Sequence, residues 1–212
     1  MKDIIIPIVF PDYKITVTIP NKRFDVLPYV EWDNVEIEQS KQKVSNLGHS
    51  GILFINGKSG LSKYYEYGRY DVPERNGIVR KLRIPDAQAN QDGVIYNSLI
   101  PILKAISTNA GRGGRIQGVL IEAEDVFDKL QAKAHARKQK NTNPNRTPYS
   151  ITSNSCIHFV KRLVEAAGKD TPWMFDPRPN SYIGEFRDDY RDLDYSPKKN
   201  TLKIEDVGEF SA

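Results

Sequence analysis

The sequence predicts an α+β fold: an antiparallel sheet or partial barrel packed against a helix that carries the chain's one cysteine. Three observations lead to that class. Short runs of β-branched and aromatic residues recur between residues 3 and 84, separated by Gly, Pro and Asp turns. The region from Gly93 onward adds stretches with helical spacing or helix-favouring charge order. Finally, Ser150-Ile151-Thr152-Ser153-Asn154-Ser155 is rich in capping residues, and Phe159, Val160, Leu163, Val164 and Ala167 follow at helical intervals until Gly168. Cys156 therefore falls in the first turn of a short helix. There the unpaired backbone N–H groups and the positive end of the dipole favour thiolate and can hold a developing oxyanion. The structural alternative is a cysteine that is only a small buried apolar residue.

The remaining elements follow in chain order. Residues 3–10 and 13–19 read as two strands joined into a hairpin by Pro11-Asp12, the second alternating apolar and polar. A looser segment runs from Pro20 to Trp32, and residues 35–39 resume alternation as an edge strand. The clearest hairpin flanks Gly57-Lys58-Ser59-Gly60, with strands near 48–56 and 61–71. If Asn56 faces Leu61, then Ile55 faces Ser62, Leu53 faces Tyr64, Gly51 faces Glu66 and His49 faces Gly68. His49 and Glu66 then share one face, a diagonal step apart. Residues 77–84 give a further strand; Asp92 caps a helix over 93–107 that Pro101 must kink or divide. Residues 116–121 are a strand, and 122–138 a helix acidic at its start and basic at its end. The segment 171–179, with three prolines and two large aromatics, is a loop that lines a cleft or covers the core. Residues 188–194 read as a charged, solvated turn, and Leu202–Val207 as a closing strand.

Composition restricts function. With 212 residues, 39% hydrophobic and 27% charged, the chain suits a single domain over residues 1–212 with one substantial core. One cysteine cannot form an internal disulfide, so the thiol is left for chemistry. The run Ile4–Phe10 is too short for a membrane span, is broken by Pro7, and has no cleavage site after it; a strand is expected rather than a secretory signal. The net charge of +4 is mixed along most of the sequence. The basic segment Lys129–Lys140 lacks interleaved aromatics and suits a solvated helix face better than nucleic-acid binding. Gly111-Arg112-Gly113-Gly114-Arg115 lacks the Lys-Ser/Thr of a phosphate loop. The aspartates between 188 and 194 match no calcium loop.

A thiol nucleophile needs a base, and the base benefits from a third group that fixes its tautomer. Of the three histidines, His135 lies within the basic helix, and His158 is two positions past Cys156, about 200° around the axis. His49 remains as the base, with Glu66 as its orienting partner; Asp71, Tyr65 and Tyr67 are weaker substitutes for Glu66.

This arrangement resembles a papain-like triad in permuted order. Asn154-Ser155-Cys156-Ile157-His158-Phe159-Val160 resembles the nucleophile helix of the permuted NlpC/P60 superfamily, which includes lecithin-retinol acyltransferase-like and YiiX-like proteins; Ser155 stands between the Asn and Cys that are commonly adjacent there. Gly48–Leu53 and Tyr64–Tyr70 are similar to that superfamily's histidine strand and partner strand. Length, the expected lack of a signal and the sequence Gly68-Arg69-Tyr70-Asp71 are most similar to type VI secretion cell-wall amidase effectors of the TseH type. That resemblance implies a cysteine hydrolase with Cys156, His49 and Glu66 as triad, no metal or cofactor, and cleavage of amide bonds in peptidoglycan stem peptides. It further implies secretion from the producer's cytoplasm, action in a rival's periplasm, and a cognate immunity protein and secretion machinery as partners. Rival readings use the triad for thioesterase, lipid acyltransferase or protein deamidase chemistry, or make the chain a non-catalytic binding domain.

Overall fold

The structure, a computed structural model, describes residues 1–13, 15–18, 41–44, 48–70 and 76–207. In chain order its strands are β1 (Asp3–Phe10), β2 (Ile15–Thr18), β3 (Lys41–Val44), β4 (His49–Ile55), β5 (Ser62–Gly68), β6 (Ile78–Leu82), β7 (Ala89–Asn90), β8 (Gly93–Val94), β9 (Ile116–Ala123), β10 (Arg191–Ser196) and β11 (Thr201–Glu205). The α-helices are α1 (Leu99–Asn109), α2 (Phe127–Gln139), α3 (Cys156–Ala166) and α4 (Pro179–Glu185). Seven strands form one antiparallel sheet in the order β11-β10-β9-β1-β4-β5-β6.

The Ile-rich sequence of β1 explains its central place. Apolar at nearly every position, it is buried along its whole length, with helices on both faces of the sheet. Ile5 and Val9 join Ile52, Phe54, Tyr65 and Tyr67 in a core with α2, α3 and α4, whereas Ile4, Ile6 and Ile8 join Leu53, Ile55 and Tyr64 in a core with α1. Pro7 cannot donate to a ladder, and the β1–β9 pairing is interrupted between Ile5–Ile121 and Ile8–Gly118. Gly118 permits close approach there, because a Cβ would stand 2.4 Å from the Pro7 carbonyl oxygen. Helix α3 is fastened by Ile157, Val160, Leu163 and Val164, all buried. Each contributes roughly 1.5–3 kcal/mol by leaving water, which fixes the helix that carries Cys156.

The β4–β5 hairpin has the register read from the sequence: Gly51 pairs with Glu66, Leu53 with Tyr64 and Ile55 with Ser62. Backbone bonds from Asn56 N to Leu61 O and Gly60 N to Asn56 O, both 2.9 Å, close the turn. The expected β1–β2 hairpin does not form. Both edges of β1 are taken by β4 and β9, and β2 pairs with β3 in a separate ribbon. The helix expected over 93–107 begins only at Leu99; residues 89–94 instead make the β7–β8 ribbon, with Gly93 at φ 118°. Pro101 then falls in the first turn of α1, where its missing N–H removes no helical bond. Likewise α2 starts at Phe127, because Glu122 and Ala123 complete β9 and Asp125 turns the chain at φ 48°. Within 188–194 the charged turn is replaced from Arg191 on by β10, whose Leu193 and Tyr195 are buried between flanking charges. Helix α4 was not expected, and Pro179 occupies its first position. The strand expected at 35–39 and the segment 20–32 lie outside the described residues.

Candidate active site

Cys156 is the first residue of α3, after Ser155 in extended conformation as N-cap. A capping box joins Ser155 and His158, with Ser155 Oγ 2.8 Å from His158 Nδ1. His158 is thus held against the cap. No acidic residue occupies the first turn of α3, so no fixed negative charge there competes with a thiolate for the dipole.

The β4–β5 register brings His49 and Glu66 together: Nε2 lies 3.2 Å from Glu66 Oε2. Glu66 is wholly buried, and three further groups compensate its charge. Arg80 approaches Oε1 at 3.5 Å, the Tyr64 hydroxyl donates to Oε2 at 3.2 Å, and nearby Tyr70 also favours the charged form. Burial alone would raise the Glu66 pKa, but His49, Arg80 and Tyr70 together bring it below the usual carboxylate value. Gly51 is required opposite Glu66, since a Cβ there would stand 2.1 Å from the Tyr64 hydroxyl oxygen. The Tyr70 hydroxyl is the nearer partner of His49 Nε2, at 2.7 Å.

With Nε2 so engaged, Nδ1 is the remaining ring nitrogen, and His49 and the Cys156 thiol each favour the charged form of the other. Burial opposes charge on both, but their mutual attraction prevails. For His49, burial is outweighed by hydrogen bonds and Coulomb attraction from Cys156 and Glu66, raising its pKa to about 9. For Cys156, burial is outweighed by His49 and by the side chain and backbone of Ser50, lowering the thiol to about 7. Each group thereby favours the charged form of the other, thiolate beside imidazolium. Ser50 Oγ is buried without a well-formed hydrogen bond, and it is the Cys156 sulfur that its hydroxyl and N–H favour in charged form.

Three partly exposed tyrosines adjoin this buried pair. Tyr149 donates to Cys156 Sγ at 3.7 Å; Tyr13 lies 5.4 Å from the His49 ring, and Tyr70 meets it edge-on. Asn154 fixes the loop that carries Tyr149: its Nδ2 donates to Thr147 O at 3.1 Å, Pro148 O at 2.8 Å and the Tyr67 hydroxyl at 2.9 Å. Asn154 therefore supports the site through this loop, and it lies one residue farther from the sulfur than in the common motif.

Sequence reasoning missed Tyr70, Tyr149, Tyr64, Arg80 and Ser50. For two of them the signal was present. Tyr64, Glu66 and Tyr70 share strand parity, whereas Tyr65 and Tyr67 point into the opposite core, which removes the latter two as substitutes for Glu66. Asp71 lies outside the described residues. The loop 171–178, expected to line a cleft or cover the core, exposes Trp173 and Phe175, 81% and 80% accessible.

The sequence matches the family described as type VI secretion system effector TseH-like over residues 5–172. Among solved structures, the crystal structure of the type VI secretion system effector TseH aligns with TM-score 0.76 and 32% sequence identity, covering 97% of this chain and 98% of that one. A search of curated proteins gives no match.

Proposed function

Because the chain belongs to the TseH-like family of type VI secretion effectors and shares its papain-like fold, we propose that it is a cysteine amidase acting on peptidoglycan stem peptides. The observation that carries this reading is the Cys156–His49 pair itself. A thiol lowered to about 7 sits at a helix N-terminus against an imidazole raised to about 9 and held by Glu66.

His49 takes the proton of Cys156, and the thiolate forms a bond to the amide carbonyl carbon. In this scheme the backbone N–H of Cys156 and the Tyr149 hydroxyl, which lies 3.7 Å from the sulfur, donate to the oxyanion. Collapse of the tetrahedral intermediate breaks the C–N bond, and His49 gives its proton to the departing amine. Water then attacks the thioester with His49 again as base. The C–S bond breaks, the acid leaves and the thiol is restored. Glu66 orients the imidazole and stabilises its charged form. The scheme uses no metal or cofactor.

Delivery into a target cell follows from the effector family, and no helix among the described residues is long and apolar enough to cross a membrane. The periplasm as site of action and a cognate immunity protein as partner belong to the proposal. The decisive experiment compares release of soluble fragments from purified peptidoglycan by the intact protein and by Cys156→Ala. Release by the intact protein and none by the variant is expected. Equal release would remove Cys156 as nucleophile, and no release by the intact protein would remove the substrate. The second reading is an acyl-lipid substrate, favoured by exposed Trp173 and Phe175; hydrolysis of acyl-lipid vesicles in place of peptidoglycan would select it.

A further inference from the structure

The edge strand β6 is closed along only part of its outer side. At Val79 the Asn141 side chain stands in for a neighbouring strand: its Oδ1 accepts the Val79 N–H at 2.9 Å and its Nδ2 donates to the Val79 carbonyl at 2.8 Å. Main-chain groups alternate in direction along a strand, so the N–H and C=O of Lys81 point outward as well. Among the described residues nothing pairs with them. Beside Lys81 runs a shallow groove of about 340 Å³, lined by Ser62, Lys63, Lys81, Leu82, Arg83 and Ile84. It lies at the Ile55–Ser62 end of the β4–β5 hairpin, and the length of β4, about 20 Å, separates that end from His49.

Side-chain parity divides this edge. Arg80 faces Glu66, whereas Lys81 turns the other way, its ammonium 5.8 Å from the centroid of Tyr65. The β5–β6 register, carried one step past Tyr64–Leu82, sets Lys63 opposite Arg83 on the Lys81 side, and like charges so placed repel. The Lys63 ammonium donates to the Ser62 carbonyl at 3.2 Å, and Asp86, farther along the chain, is engaged by the Ser62 N–H at 2.8 Å. Among the described residues no carboxylate pairs with Lys63, Lys81 or Arg83. On the other face Leu82 and Ile84 are half-buried against the core of α1. Cations on an open edge bar a second copy of the same strand from pairing, but they attract an acidic one. We propose that β6 and this groove take an acidic, extended segment of a partner protein as an added strand. Its carboxylates, at every second residue, face Lys63, Lys81 and Arg83, and the apolar residues between them lie on the side of Leu82 and Ile84. The surface stands apart from the Cys156–His49 pair, and its role does not depend on the reaction catalysed there.

Fluorescence anisotropy of labelled peptides tests the assignment on the intact protein. The alternating peptide Glu-Val-Glu-Val-Glu-Val-Glu should bind, more weakly as salt is raised, and its counterpart with Lys for Glu should not. Two further acidic peptides carry N-methyl groups, one on the valine nitrogens and the other on the glutamate nitrogens. Only one of these sets of N–H groups can face β6, so one methylated peptide should bind as the parent does and the other at least about tenfold more weakly. The double variant Lys81→Glu, Arg83→Glu should bind the acidic peptide at least about tenfold more weakly and gain affinity for the lysine peptide. Both side chains are exposed, and a gain of binding cannot arise from a failure to fold. Absence of binding by the acidic peptide overturns the proposal. Equal affinity for the two methylated peptides also overturns it, and assigns the groove to anions of any backbone, inorganic polyphosphate included. A dimer of the intact protein that the acidic peptide dissociates would assign the edge to a second copy of the chain and overturn it too.

Discussion

Helices α2 and α3 begin on the same face of the same sheet, but their N-termini are finished in opposite ways. The first turn of α2 is closed by a buried carboxylate: Asp3 of β1 accepts the N–H groups of Val126 and Phe127 at 2.8 Å with Oδ2, and that of Gly57 at 2.8 Å with Oδ1. The first turn of α3 is capped by the Ser155–His158 pair, with Cys156 as its first residue and no acid beside it. A full negative charge satisfies the dipole of α2 and gives stability. In α3 that place is left open to a charge on sulfur, which the proposed nucleophile requires.

Mutations should separate the two ends. The largest effect is expected from Cys156→Ala or His49→Ala, which should lower peptidoglycan turnover by at least about 10³-fold while leaving the folded state intact by circular dichroism. Asp3→Ala should do the converse. Leaving three N–H groups without their acceptor should cost about 3 kcal/mol in urea unfolding, with turnover of the folded protein preserved. Glu66→Gln should lower turnover on the order of tenfold to a hundredfold. Since Glu66 helps raise His49 to about 9, its neutralisation should also move the alkaline limb of the pH profile to lower pH. Tyr70→Phe, which removes the 2.7 Å bond to His49 Nε2, should cost a few-fold in turnover, about 1 kcal/mol. Ser155→Ala should cost about 1 kcal/mol of stability, less than Asp3→Ala, because a neutral cap is lost where a charged one was. Equal destabilisation by Asp3→Ala and Ser155→Ala would break the comparison.

What was legible in the sequence was local. The Gly57–Gly60 connection and the alternation on either side set the β4–β5 register, and with it the His49–Glu66 juxtaposition. The helix of Cys156 was announced by its cap and its apolar spacing. Non-local structure was harder to read. Strand β10 hides two core residues among four polar ones, and only pairing with β9 and β11 reveals it. The approach of Tyr149 to the sulfur depends on Asn154 holding Thr147 and Pro148, a contact that no periodicity encodes. The β1–β2 hairpin failed for a similar reason: a strand apolar on both faces belongs in the middle of a sheet, where both edges are already paired.

The central claim is that the α3 N-terminus and His49 together hold Cys156 as a thiolate near neutrality. A pH titration of ultraviolet thiolate absorbance, taken as the difference between the intact protein and Cys156→Ser, measures this without need of a substrate. The account predicts an inflection at about 7, moving upward in His49→Ala as the hydrogen bond and charge of the imidazole are lost. An inflection at the ordinary thiol value, unchanged by His49→Ala, would contradict it.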